Sequence, residues 1–245
     1  MSAVQLLAGG GRVPVWLDML DAEVASPQRP AALVRMAART SYLPLAAEQA
    51  REAFAEHAPD VGAGGVWFEA DGRALRWSLP LGVLADLHAR ALPLRVTVRF
   101  QGLDRAAALP CAGEADVRLQ FFHSLKQALS LRFGSARRLM EMPHAEQEEV
   151  WACVRGGRRG ERDLAAGESG GPLPLRVVRL GPAGQPEVLQ ACAPPGASLA
   201  QAVRLASPDC GDQFRVHGVL VPGDAPASEV WEHMRFADLF LYVVV

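Results

Sequence analysis

Val66–Leu87, VWFEADGRALRWSLPLGVLADL, contains a strand, a turn, a second short strand and a helix. Val66, Trp67 and Phe68 are residue types that favour a pleated, half-buried strand, and Asp71-Gly72 is a turn dipeptide because glycine accepts a positive φ at no steric cost. The second strand is expected over Ala74–Trp77. Pro80 then precedes an apolar helix from Leu81 to about Arg90, and Leu94–Phe100 alternates as a further strand. On the other side, Val13–Leu20 and Ala32–Ala38 are strand-like runs separated by Ser26-Pro27 and Arg29-Pro30, which predicts a hairpin. Leu43–His57 has helical spacing and stops ahead of Pro59 and the glycines at 62, 64 and 65.

The resulting order is two strands, a helix, two strands, a helix and a strand, which is the order of a β-grasp, the ubiquitin-like fold. It returns towards the C-terminus without a visible sequence repeat. Leu175–Leu180 and Glu187–Ala191 form a second expected hairpin, Ser198–Ala206 a helix capped by Ser198, and Phe214–Val221 a strand. Leu239–Val245 is uncharged throughout, as suits a central strand buried on both faces. Between the two lies a helical stretch: one helix from Glu114 to Phe133 ends at Gly134, and another opened by Pro143 ends at Gly156-Gly157. The predicted class is α+β, with two ubiquitin-like β-grasp domains flanking a helix-rich domain. The expected boundaries are an N-terminal segment 1–12, a first domain 13–103, a helical domain 112–156, a Gly/Arg/Glu-rich linker 157–171 and a second domain 172–245.

With 245 residues and 50% hydrophobic content the chain has enough apolar material for several packed cores. A net charge of −2, with no arginine cluster interleaved with aromatics, gives a nucleic-acid groove no support. Met1–Gly11 has no basic leader and no apolar run reaches the length of a membrane span, so the expected compartment is the cytosol. Cys111, Cys153, Cys192 and Cys210 lack zinc-site spacing, and reduced thiols are expected; no metal or other cofactor is implied.

Among the 25 basic residues, Lys126 is the only lysine. Arginine replaces lysine as a surface charge but cannot supply an amine nucleophile, so a retained lysine points to a need for the amine. A genome that favours arginine would also leave one lysine by chance, and composition alone does not separate the two. On a helical wheel Phe121, Leu125, Leu129, Phe122 and Phe133 share one arc with Leu119 at its edge, and Lys126 falls between Phe133 and Leu119. Its stem then lies along apolar surface with the ammonium at the rim, a position that an ordinary snorkelling lysine also takes.

The Val66–Leu87 stretch closely resembles a segment of the autophagy protein 5 family: WFE, a turn glycine, a Leu-Arg-Trp triplet, Pro-x-Gly and a leucine-rich helix carrying Asp-Leu. Further resemblances follow in family order at Arg12–Val15, Arg39–Leu45 (RTSYLPL), Val96–Phe100, Leu109-Pro110-Cys111, Phe122–Ala128 (FHSLKQA), Met142–Gly156 with Gln147, Glu149 and Trp151, and Val216-His217-Gly218. Three positions depart from the pattern: Ala85 replaces a large residue, no tryptophan precedes Val96, and Gln127 stands for the glutamate after the lysine.

The resemblance implies a scaffold whose Lys126 forms an isopeptide bond with the ubiquitin-like autophagy protein 12, delivered by conjugating enzymes of the autophagy pathway. With the coiled-coil autophagy protein 16, the conjugate would form an E3-like complex that promotes lipidation of autophagy protein 8 during autophagosome assembly. It also implies a cytoplasmic protein, peripheral on the preautophagosomal membrane, that is a substrate of conjugation and not an enzyme. The sequence as read ends in Val245 without a terminal glycine, so the expectation is an acceptor and not a donor. The alternative is a non-covalent ubiquitin-like binding module in which Lys126 is structural.

Other constellations point to structure. Trp67 and Trp77 on paired strands are expected in the core or at a domain contact. Gly62–Gly65 lacks the lysine of a phosphate loop and precedes a strand, His144 lacks the second histidine of a zincin helix, and Cys111 lacks a local catalytic motif. His123, one turn before Lys126, is a weak candidate for a local base.

Overall fold

The computed structural model describes residues 11–58, 65–89, 91–103, 109–157, 164–165, 170–182 and 184–245. In the first domain β1 (Arg12–Met19) places Val13, Val15, Leu17 and Met19 inward by strict alternation, and it pairs antiparallel with β2 (Leu33–Ala38). The helix α1 (Leu43–Ala55) has Pro44 in its first turn, where a missing N–H leaves nothing unsatisfied, and it buries Leu43, Ala47, Ala50 and Phe54. Then come β3 (Trp67–Ala70), β4 (Arg73–Ala74), α2 (Leu81–His88) and β5 (Leu94–Arg99). The sheet order is β2-β1-β5-β3-β4, with β5 parallel to β1 and antiparallel to β3.

The helical domain contains α3 (Glu114–Phe133), the short α4 (Arg137–Met140) and α5 (His144–Arg155). Gly134 ends α3 in the left-handed conformation at φ 71°. The helix α5 is fixed on α3 by a bidentate Arg118–Glu148 pair at 2.9 and 2.5 Å and by Trp151 Nε1 donating to Glu114 at 2.7 Å.

The second domain repeats the plan with β6 (Leu173–Leu180), β7 (Pro186–Ala193), α6 (Leu199–Ala206), β8 (Phe214–Val216), β9 (Val219–Val221), α7 (Ala227–Met234) and β10 (Leu241–Val244). Its order is β7-β6-β10-β8-β9, and β10 runs parallel to β6 in the middle of the sheet, buried at all four positions. Ser198 and Gln201 form a reciprocal capping box at the start of α6. The two expected β-grasp sheets and the helical stretch between them are therefore present, and one continuous set of buried apolar residues runs through all three.

Several details differ from the sequence reading. Phe214–Val221 is a hairpin and not one strand, because His217 and Gly218 both take positive φ (50° and 85°) and reverse the chain. The strand expected over Ala74–Trp77 is reduced to Arg73–Ala74; Leu75 and Trp77 are buried beyond it, and the Trp77 indole donates to the Leu109 carbonyl at 3.0 Å. The helices α4 and α7 were not anticipated. Gly62–Gly64 and most of the linker expected over 157–171 lie outside the described residues.

Candidate functional site

The helix α3 buries Val117, Phe121, Ser124, Leu125, Ala128, Leu129 and Arg132. Lys126 follows this stripe at its rim and is half-buried, as are Phe122, one turn before it, and Phe133, near the end of the helix. Leu119, expected at the far edge of the apolar arc, is 58% exposed, so the buried stripe is narrower than the sequence arc. Lys126 makes no hydrogen bond or ion pair among the described residues. Its amine is thus uncommitted, while its neighbours are not.

The turn that carries Lys126 is held from the second domain. Arg176 on β6 donates through one terminal nitrogen to Ser124 Oγ and to the Tyr242 hydroxyl, both at 2.7 Å, and through the other to Gln127 Oε1 at 2.8 Å. The guanidinium lies 3.8 Å over the Phe240 ring and 3.8 Å from Asp238, whose carboxylate accepts from the Tyr242 hydroxyl at 2.7 Å. Arg176 and Asp238 are only 11% and 1% exposed at their side chains. Burial lifts the Asp238 carboxyl above its usual range, opposed first by the Arg176 charge and then by hydrogen bonds. Burial likewise pushes the Tyr242 and Tyr42 hydroxyls up, and the nearby Asp238 charge adds to both shifts. The hydrogen bonds of this polar node join the helical and second domains, and Tyr42, which precedes α1 in the first, feels its charges.

Two further contacts fix the domains. Arg132, on the same helix, donates to the Gly171 and Pro172 carbonyls at 3.3 and 3.1 Å and stands 4.2 Å from the Trp231 ring centre. Arg39 pairs with Asp86 and donates to the Gly82 carbonyl at 3.0 Å, and Asp86 accepts the Gly218 N–H of the second domain at 2.8 Å. A Cβ at Gly218 would lie 3.0 Å from the Arg39 guanidinium, so glycine permits this approach as well as its φ. Three stretches that carried the sequence resemblance (Arg39–Leu45, the Asp86 helix and Val216–Gly218) thus meet at one junction.

The remaining candidates have structural roles. Trp67 and Trp77 are buried, and the Trp67 indole donates to the Gln101 carbonyl at 2.9 Å. Burial pushes the Cys111 thiol up to about 11, which leaves it protonated and unreactive at neutral pH. His144 is exposed beside Glu148 at 3.2 Å, and His123 is exposed on α3. Among the described residues no group of three or more His, Cys, Asp or Glu is placed to hold a metal ion, and no helix is long and apolar enough to cross a membrane. A groove of about 560 Å³ lies between β2, α1 and the end of α5, lined in part by Arg12, Arg35, Met36, Arg155 and Gly157. Arg176 and Arg132 carried no local signal in the sequence, because their partners on α3 and in the second domain are distant in the chain.

Residues 10–100, 114–159 and 172–245 match in turn the families described as autophagy protein ATG5, UblA domain; autophagy protein ATG5, alpha-helical bundle region; and autophagy protein ATG5, UblB domain. Autophagy protein 5 of Arabidopsis thaliana is 35% identical over 150 residues, covering 60% of this chain and 44% of that protein. The protein of the same name from Oryza sativa subsp. indica is 34% identical over 150 residues, covering 60% and 39%. The chain thus spans less than half the length of these plant relatives. The Aspergillus oryzae protein is 23% identical over 312 residues, covering 100% of this chain and 97% of its own. The crystal structure of Kluyveromyces marxianus Atg5 superposes with a TM-score of 0.79 at 22% identity, over 100% of this chain and 99% of that one, which establishes the shared fold.

Proposed function

Given that this chain belongs to the autophagy protein 5 family, we propose that it is a scaffold of autophagosome assembly whose Lys126 is the acceptor for the ubiquitin-like autophagy protein 12. The observation that carries this reading is an unpartnered, half-buried lysine, the only one in the chain, at the rim of α3 within FHSLKQA. In the reaction the neutral Nζ attacks the carbonyl carbon of a thioester held on a conjugating enzyme. A C–N bond forms, the C–S bond breaks, the enzyme's thiolate leaves with the electron pair, and the proton lost from nitrogen passes to solvent. The chain supplies the nucleophile and is the substrate of this step. Joined non-covalently by the coiled-coil autophagy protein 16, the conjugate acts as an E3-like complex for lipidation of autophagy protein 8, in the cytoplasm and peripherally on the forming membrane.

The test is Lys126→Arg. At a rim position arginine keeps charge and stem length, so stability should change by no more than about 0.5 kcal/mol while the covalent conjugate disappears. A protease that cuts only after lysine provides the second readout. It should split the denatured unmodified chain once, into residues 1–126 and 127–245, and should leave the conjugated chain whole because the isopeptide removes the ammonium that its pocket pairs with. A conjugate of undiminished yield from the variant, or clean cutting at Lys126 in the heavier species, would discard the acceptor and leave a non-covalent binding module.

A further inference from the structure

We propose that Arg176 of the second ubiquitin-like domain is the positioning residue for Lys126, its guanidinium fixing the rotation of the acceptor turn through Ser124 Oγ at 2.7 Å and Gln127 Oε1 at 2.8 Å. This rests on the acceptor reading above. The apolar stripe of α3 packs through Phe121, Leu125 and Leu129, and apolar burial is non-directional: it holds a helix against a surface without choosing its rotation closely. A planar guanidinium that donates to two side chains is directional, and the two residues it grips lie two positions before and one position after Lys126.

Arg176 is itself held. The Tyr242 hydroxyl and the Phe240 ring fix its plane, and Asp238 supplies the opposite charge in the same buried site. All three belong to the strand β10 or the turn leading into it, so the grip on α3 exists only when the second domain is folded and docked. The consequence is a dependence of transfer on a domain that contributes no reacting atom. Gln127, the departure from the family's glutamate, remains an acceptor for Arg176, so the substitution removes a charge while the hydrogen bond is kept.

The experiment uses the full chain and the modifier charged as a thioester on its conjugating enzyme, with transfer followed in a single turnover. Gln127→Ala alters an exposed position and should leave the thermal midpoint unchanged while lowering the saturating transfer rate about threefold, with no change in the concentration needed for half-saturation. Arg176→Lys keeps a charge against the Phe240 ring but replaces the rigid fork, whose two terminal nitrogens reach Ser124 and Gln127 separately, with one mobile ammonium, and should lower the rate about tenfold. Added to the Ser124→Ala/Gln127→Ala double variant, Arg176→Lys should cause no further loss, because all three changes remove one interaction. Gln127→Glu should transfer at least as fast as the unaltered chain. A small soluble activated ester, which needs no orientation, should acylate Lys126 equally in every variant.

Wild-type rates in Gln127→Ala and Arg176→Lys, additive losses, a change confined to half-saturation, or a parallel fall in ester acylation would each overturn the proposal. Should Arg176→Lys fail to fold, the exposed Gln127→Ala and Gln127→Glu pair decides by itself. Lys126→Arg run alongside separates the two failures. If it abolishes transfer while the Arg176 and Gln127 variants react normally, the positioning role alone is wrong; if it still conjugates fully, the acceptor is wrong and the positioning role falls with it.

Discussion

His88 closes α2 with its Nε2 buried and without a hydrogen-bond partner. Burial, reinforced by the Arg73 charge and opposed by Asp71, brings its pKa down to about 4 from 6.5. Between those values the unfolded chain binds a proton that the folded protein refuses, so the stability gained from a neutral His88 is complete above about 6.5 and is lost as pH falls towards about 4. Discounted for partial solvent access, the loss should be about 1–2 kcal/mol by pH 4.5. Denaturant titrations of the unaltered chain and of His88→Leu across this range check it; the variant should show a flatter pH dependence, and equal slopes would reject the assignment. Nothing in the sequence distinguished His88, since only tertiary packing buries its ring. Lys126 stands out for the opposite reason, since the scarcity of lysine and the spacing of α3 are both properties of the linear chain, although only the FHSLKQA resemblance, and neither of these, points to an acceptor. Arg176 does not stand out, because one arginine among many becomes distinctive only when Ser124, Gln127 and Tyr242 surround it.

At the level of elements, β10 was the most legible strand. An uncharged run from Leu239 to Val245 fits few environments other than a sheet centre, and the strand does lie between β6 and β8. Removing Leu239–Val245 takes away buried Leu241, Tyr242, Val243 and Val244, each worth roughly 1.5–3 kcal/mol, which exceeds what a small domain can lose. The expected result is loss of cooperative unfolding and of amide protection in β6–β9, measured by hydrogen exchange; native protection in β6 would refute it. The hairpin β8–β9 was read as one strand because His217-Gly218 is not among the strongest turn dipeptides, and His217 at φ 50° is held by stacking on Phe236 at 4.2 Å and by Nε2 against the Met234 carbonyl at 2.9 Å. The helix α7 does carry a signal in the sequence, since its buried Val230, Trp231 and Met234 have helical spacing.

Across the whole molecule, the Arg39–Asp86–Gly218 junction joins the first and second domains, and it should make them unfold together. Asp86→Ala strands a largely buried guanidinium and removes the acceptor for the Gly218 N–H, with an expected cost of about 3 kcal/mol. Calorimetry should show a single transition for the unaltered chain and a broadened or split one for the variant; a sharp single transition in both would mean that apolar contacts alone couple the domains. The β-grasp order was legible from the alternation of short strands and helices, but the docking of domains was not, since it depends on side chains brought together from distant segments. The placement of β5 and β10 at the sheet centres also has a consequence for biosynthesis. Leu175 pairs with Leu241 and Val15 with Leu94, so each first hairpin leaves the ribosome well before its central partner. At roughly 5–20 residues per second, each waits several seconds with an open apolar edge. This interval is when a nascent-chain chaperone would be needed, and slowing translation between β6 and β10 should increase aggregation more than slowing it within the helical domain.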